Sequence, residues 1–177
     1  MSAVGVVGAG PALPGPLQGL MRPQAYPHAV DRIELIETPL SWVLLAGPWV
    51  YKLKRPVRYP FVDQRRLTDR ERLCHEELRL NRRFAPALYV AVCSVTRADG
   101  CACIDAPGEP LDYAVRMHRF NRGEQLDQLV LQGRVAEGEI ERLGAWLARC
   151  HQSLPGAGHD HAAGGPAAVS DGRRRSC

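Results

Sequence analysis

Apolar and polar positions alternate with period two over residues 31–37, where Ile33 and Leu35 oppose Glu34 and Ile36. Strict alternation marks a half-buried strand. Thr38-Pro39-Leu40 then turns the chain, residues 41–46 read as an apolar strand, and Gly47-Pro48 turns it again. Trp49-Val50-Tyr51-Lys52-Leu53-Lys54 makes a third strand, stopped by Pro56. From there the period changes. Residues 68–84 predict a long helix, opened by a Thr68-x-x-Glu71 capping box and closed by Pro86. Strands follow at 88–96, 101–104 and 111–120, with Asp99-Gly100 and Pro107-Gly108 as turns. Helices over 124–132 and about 137–154 complete the pattern. In the second, Ile140, Leu143, Leu147, Cys150 and Leu154 recur at helical spacing. The expected class is α+β: a mostly antiparallel sheet of five to six strands with one long helix, then two or three helices.

Residues 1–29 and 156–177 are rich in Gly, Pro and Ala without periodicity, and are expected to be a disordered extension and a disordered tail. Gly5-Val6-Val7-Gly8-Ala9-Gly10 has the look of a dinucleotide loop, but no strand precedes it and Pro11, Pro14 and Pro16 follow in place of a helix.

At 177 residues the chain is long enough for one domain of ordinary size. Nothing approaches the ~20 uninterrupted apolar residues of a membrane helix, and the start lacks the basic and apolar regions of a secretory leader. A cytoplasmic protein without a membrane partner is the expectation. The net charge of +4 is too mild to imply nucleic acid. Its make-up is more telling: of 23 basic residues only Lys52 and Lys54 are lysines, so a lysine is informative where one stands. The six cysteines form no C-x-x-C pair, and Cys74 and Cys93 fall in helix and strand patterns where a thiol packs as a small apolar group. No metal site is expected.

The lysines and the helix combine. Val50, Lys52 and Lys54 share one strand face, and a lysine set among apolar residues is costly to bury unless an anion meets it. On the helix, Leu73, Leu80 and Phe84 define an apolar stripe; adding Cys74 and Leu78 moves its centre close to Glu77, while Glu76 lies nearer the opposite margin. A carboxylate on a buried face needs a cation, and Lys52 is the expected partner, with Lys54 and Glu76 exposed. An edge strand with two solvated lysines is the competing interpretation.

A strand lysine paired to a helix carboxylate, with three strands before the helix and a meander after it, is the arrangement of a protein-kinase-like N-lobe. The segments A-Y-P-H-A-V-D-R-I-E-L-I-E-T-P-L-S-W-V-L-L, V-Y-K-L-K-R-P-V and E-E-L-R-L-N-R-R-F-A-P-A-L-Y, in order over roughly residues 21–155, resemble one bacterial family. It comprises the aminoglycoside-phosphotransferase-like kinase domains that often precede a P-loop ATPase domain in a bifunctional protein. The resemblance implies an N-lobe over 30–120 and a hinge with the first C-lobe helices over 121–155. It implies ATP as the ligand, with Lys52 on its phosphates, Glu77 orienting that lysine and Val50 against adenine. Thr38 and Ser41 would sit over the phosphates, and Met117, His118, Arg119 and Phe120 would lead into the adenine-pairing hinge. Mg2+ would enter only with metal ligands from a C-lobe.

The chain departs from that pattern in one respect. Its two asparagines, Asn81 and Asn121, have Glu76 and Arg116 five residues before them, so no H-x-D-x-x-x-x-N catalytic loop exists. A Walker G-x-x-x-x-G-K-[ST] is absent too, since neither lysine follows a glycine. The resulting expectation is an ATP-binding lobe truncated before the catalytic loop, unable to transfer phosphate alone, and prone to self-association through the surface a C-lobe would cover. The alternative is a non-enzymatic module in which Arg65, Arg66, Arg70, Arg72, Arg79, Arg82 and Arg83 grip nucleic acid or an acidic protein. Nucleic acid is the weaker of these partners, because no aromatic RNA-binding motif accompanies the arginines.

Overall fold

A computed structural model describes residues 12–136 and 138–153. The Gly5–Gly10 run, Leu154 and the residue 156–177 tail therefore lie outside the described residues. The chain divides into two units, one ending at Gln132 and the other beginning at Gly133.

The first unit is built on one six-stranded sheet. Its strands are β1 (Ile33–Glu37), β2 (Ser41–Ala46), β3 (Trp49–Lys54), β6 (Tyr89–Ala98), β7 (Cys101–Ile104) and β8 (Pro110–His118), with β4 (Arg58–Tyr59) and β5 (Val62–Asp63) forming a small separate hairpin after β3. The order across the sheet is β1-β2-β3-β8-β6-β7, and every neighbouring pair is antiparallel. The long helix α1 (Leu67–Asn81) lies between β3 and β6 in sequence. A single-turn 3-10 segment (Arg122–Glu124) and α2 (Leu126–Leu131) follow β8. The α+β class and the antiparallel sheet agree with the sequence pattern. The Asp99-Gly100 turn is formed as expected: both residues have positive φ, +49° and +77°, which the tight hairpin between β6 and β7 requires. The described part of the second unit contains α3 (Glu139–Gln152), amphipathic at the spacing read from the sequence. Among the described residues no helix is long and apolar enough to cross a membrane.

Each sheet face buries a different set of residues. Outer-face residues Trp42, Leu44, Tyr51, Leu53, Cys93, Val95 and Ala114 pack with Leu13, Leu17, Leu20, Ala25 and Tyr26. This corrects the expectation of a disordered extension over 1–29. Its described part folds into 3-10 turns at Gly15–Met21 and Pro23–Ala25, with Leu20 fully buried. A 3-10 turn tolerates proline at its start and carries no 3.6-residue period, so the usual helix signal is silent there. Gly19 lets the segment approach β7: a Cβ at that position would fall 2.5 Å from the Ala102 amide nitrogen.

The inner face carries Leu45, Val50, Val115 and Met117, and meets Cys74 of α1. Two details of α1 differ from the sequence expectation. The capping box is not made, because the helix starts one residue early, with Arg66 as its N-cap and no side-chain cap. The helix also ends at Asn81, short of Phe84. The stripe turned to the sheet is Arg70, Cys74 and Glu77, whereas Leu80 is 43 % exposed. Polar side chains can occupy that stripe because the sheet supplies an opposite charge to each.

Candidate functional site

The geometry starts from register. β3 pairs with β2 and β8 so that Val43, Lys52 and Val115 stand side by side, as do Leu45, Val50 and Met117. Opposed residues in antiparallel strands share a face, so Lys52 and Lys54 emerge on the inner face among apolar neighbours, under α1. There Lys52 Nζ donates to Glu77 Oε1 at 2.8 Å, the pair expected from the sequence. Lys54 Nζ donates to Glu77 Oε2, so one carboxylate bridges both lysines of the chain.

Lys54 is therefore a residue that sequence reasoning misjudged. Expected at the surface, it is 12 % exposed, against 31 % for Lys52 and 11 % for Glu77. The two-residue spacing already puts both ammonium groups on one face; the unforeseen point is that one helix carboxylate, with two oxygens, meets both. Burial alone would raise the Glu77 carboxyl, but the hydrogen bonds and charges of Lys52 and Lys54 outweigh it and hold the group below its ordinary value. Cys74, one turn back on the helix, has its thiol pushed up to about 12 by burial, and Tyr89 is likewise raised. Both stay neutral, so the cluster keeps a net charge of +1.

The other expected site residues divide. Val50 and Met117 are cross-strand partners and lie buried beside Lys52 on its face. Ser41 is the register partner of Lys54 and is buried. The Thr38 hydroxyl closes the β1–β2 turn, accepting from the Ser41 amide at 2.9 Å and donating to the Ser41 carbonyl at 3.0 Å. The Thr38 carbonyl accepts from Arg55, which also pairs with Glu37 at 2.7 Å. The 38–41 turn is thus braced by its own chemistry.

Of the side chains after Met117, His118 does not share the face of Lys52. His118 has its ring 4.4 Å from that of Trp49, its register partner on the outer face. Arg119 lies 3.8 Å from Glu34 on β1, and Phe120 is exposed. The His118 amide donates to the Leu88 carbonyl and the Arg119 amide to the Pro48 carbonyl, at 2.9 and 2.8 Å, so neither N–H is open to a base.

A second ion pair joins the other end of α1 to the sheet. Arg70 Nε donates to both oxygens of Asp112, at 3.0 and 3.1 Å, while Nη1 donates to the carbonyls of Gln64 and Arg65. Arg70 is buried, which removes it from the outward arginine surface expected from the sequence. The signal for it was Asp112, a lone carboxylate within a strand. Of the remaining arginines in that group, Arg65 pairs with Asp63, Arg79 with Glu76, and Arg82 donates to the Tyr89 and Val90 carbonyls, leaving Arg66, Arg72 and Arg83 on the exposed side. Among the described residues no three His, Cys, Asp or Glu side chains converge as a metal site.

Against known proteins, no family model and no solved structure matches the chain. Three curated relatives do: uncharacterized protein Mb2027c of Mycobacterium bovis, and uncharacterized proteins MT2060 and Rv2004c of two Mycobacterium tuberculosis strains. Each is 32 % identical over 120 residues, which is 68 % of this chain and 22 % of the relative. The matched part of the chain spans about a fifth of the length of these relatives.

Proposed function

We propose that the inner sheet face is a nucleotide site, the ATP-binding lobe of a protein of the aminoglycoside-phosphotransferase-like kinase type. The observation that carries this is the 2.8 Å contact between Lys52 in mid-strand and Glu77 on the only helix between β3 and β6 of the described chain. A lysine held on a helix carboxylate presents a charge of fixed position, the property needed to bind the phosphates of ATP. Lys52 keeps close to a third of its side chain exposed, so it can meet an anion from solvent while still braced by Glu77. Val50, the residue the resemblance sets against adenine, lies buried on the same face beside it.

Phosphate transfer is a separate matter. The H-x-D-x-x-x-x-N loop that supplies the base and a metal ligand has no counterpart in this sequence, so in this reading the lobe binds ATP and the transfer groups, with any Mg2+, come from other chain. The phosphate acceptor would be selected there as well.

A thermal-shift titration tests the reading. ATP raises the melting temperature of the wild-type chain, Lys52→Met abolishes the rise, and Arg83→Met, on the exposed side of the turn after α1, leaves it intact. Equal ATP protection of wild type and Lys52→Met would contradict it. DNA binding that weakens steeply with salt would instead favour the arginine module.

A further inference from the structure

Resting on that nucleotide reading, we propose that Lys54 is a positioning residue that holds Glu77 so that Lys52 is free to engage an oligophosphate. In an isolated lysine–glutamate pair the two charges cancel, and a phosphate must compete with the carboxylate for the lysine. If the lysine turned away, a carboxylate only 11 % exposed would be left without a cation. Here the second cation removes that conflict. Lys54 occupies Glu77 Oε2 and is itself nearly sealed, so it is poorly placed to meet a ligand. Lys52 occupies the other oxygen, has three N–H donors of which this contact takes one, and is the more open of the two. With Tyr89 and Cys74 neutral, the unit carries one positive charge in excess, the sign needed to hold a phosphate chain.

The division of labour makes a charge-balance prediction that a packing role for Lys54 does not. The net charge of the unit is +1 in the wild type, zero in Lys54→Met, and +1 again in Lys54→Met combined with Glu77→Gln. Affinity for ATP and for inorganic tripolyphosphate, measured by titration calorimetry, should follow that series. Lys54→Met weakens both ligands about tenfold, the scale of one charge at close range near a surface. The double variant recovers part of that loss, because no buried carboxylate is left to claim Lys52, but stays below the wild type because Lys52 has also lost its brace. The double variant also serves if Lys54→Met fails to fold, since it contains no unpaired buried charge.

Tripolyphosphate weakened in step with ATP places the effect on the phosphates, as proposed; a loss confined to ATP would overturn it. Unchanged affinity in Lys54→Met, or a double variant that binds more than tenfold below wild type, would overturn the role of Lys54 while leaving the nucleotide site standing. A wild-type chain that binds neither ligand would overturn both.

Discussion

Two ion pairs fasten α1 to the sheet, and they differ in balance and in access. Near the helix start, Arg70 and Asp112 are matched one to one and both are buried, with the guanidinium further anchored on two backbone carbonyls. Two turns on, Glu77 faces two lysines, and one of them is open to solvent. The first arrangement is closed: every charge has its partner and nothing is left for a ligand. The second is over-supplied with cation and reachable. Buried one-to-one pairs fix geometry without offering chemistry; an exposed excess charge held by a buried carboxylate is what a binding site needs. That contrast sets the Arg70 pair apart as structural from the Lys52 cluster, where we propose that the nucleotide binds.

The largest way to test the contrast is to break the closed pair. Arg70→Met leaves Asp112 buried and unpaired, and should cost on the order of 3–5 kcal/mol in urea unfolding at neutral pH. ATP binding by the molecules that remain folded should be unaffected. Lys54→Met comes next, at about 2 kcal/mol, because Glu77 keeps one cation. Lys52→Met should cost least, about 1 kcal/mol, since the side chain is the most exposed of the three and the nearly sealed Lys54 still pairs with Glu77. The order of stability loss is thus the reverse of the order of ligand loss. A Lys52→Met that destabilised more than Arg70→Met would break the comparison.

The pH dependence separates the pairs by sign. Glu77 is held below its ordinary value of 4.5, so its contribution to stability is complete above that pH and is lost as pH falls through the lowered folded value. Asp112 is the opposite case. Burial outweighs Arg70 and the Tyr113 amide and leaves its carboxyl above the ordinary 3.8. Its ionisation opposes folding at neutral pH, and that opposition fades as pH falls through the raised folded value toward 3.8. Urea midpoints followed against pH should therefore lose an acid-side decline in Glu77→Gln. In Asp112→Asn they should lose a rise that begins at higher pH.

How much of this was legible in the sequence depended on whether a regular period was present. The sheet, α1 and the Lys52–Glu77 pair came from strand alternation and helix phase, both of which are set by backbone geometry. The packing of residues 13–26 did not, because 3-10 turns rich in proline and glycine follow neither period. Leu13, Leu17 and Leu20 carried the only hint. Arg70 was placed on the wrong side because an inward stripe was assumed to be apolar, when Asp112 made a charged position cheaper to bury. Alternation set Lys54 on the face of Lys52, but one carboxylate was matched to one cation, and the second oxygen of Glu77 takes the other. The residues after Met117 were placed by resemblance; alternation turns His118 to the outer face against Trp49, and Arg119 meets Glu34 on β1.

The most direct measurement uses the scarcity of lysine in this chain. Selective labelling of lysine with 13C at Cε and 15N at Nζ gives two side-chain signals, one each for Lys52 and Lys54. Titration with ATP should shift the Lys52 signal strongly and saturably, with a smaller shift at Lys54, and Lys52→Met should identify which is which. Two signals that stay in place at saturating ATP, or a larger shift at Lys54 than at Lys52, would contradict the assignment of Lys52 to the phosphates.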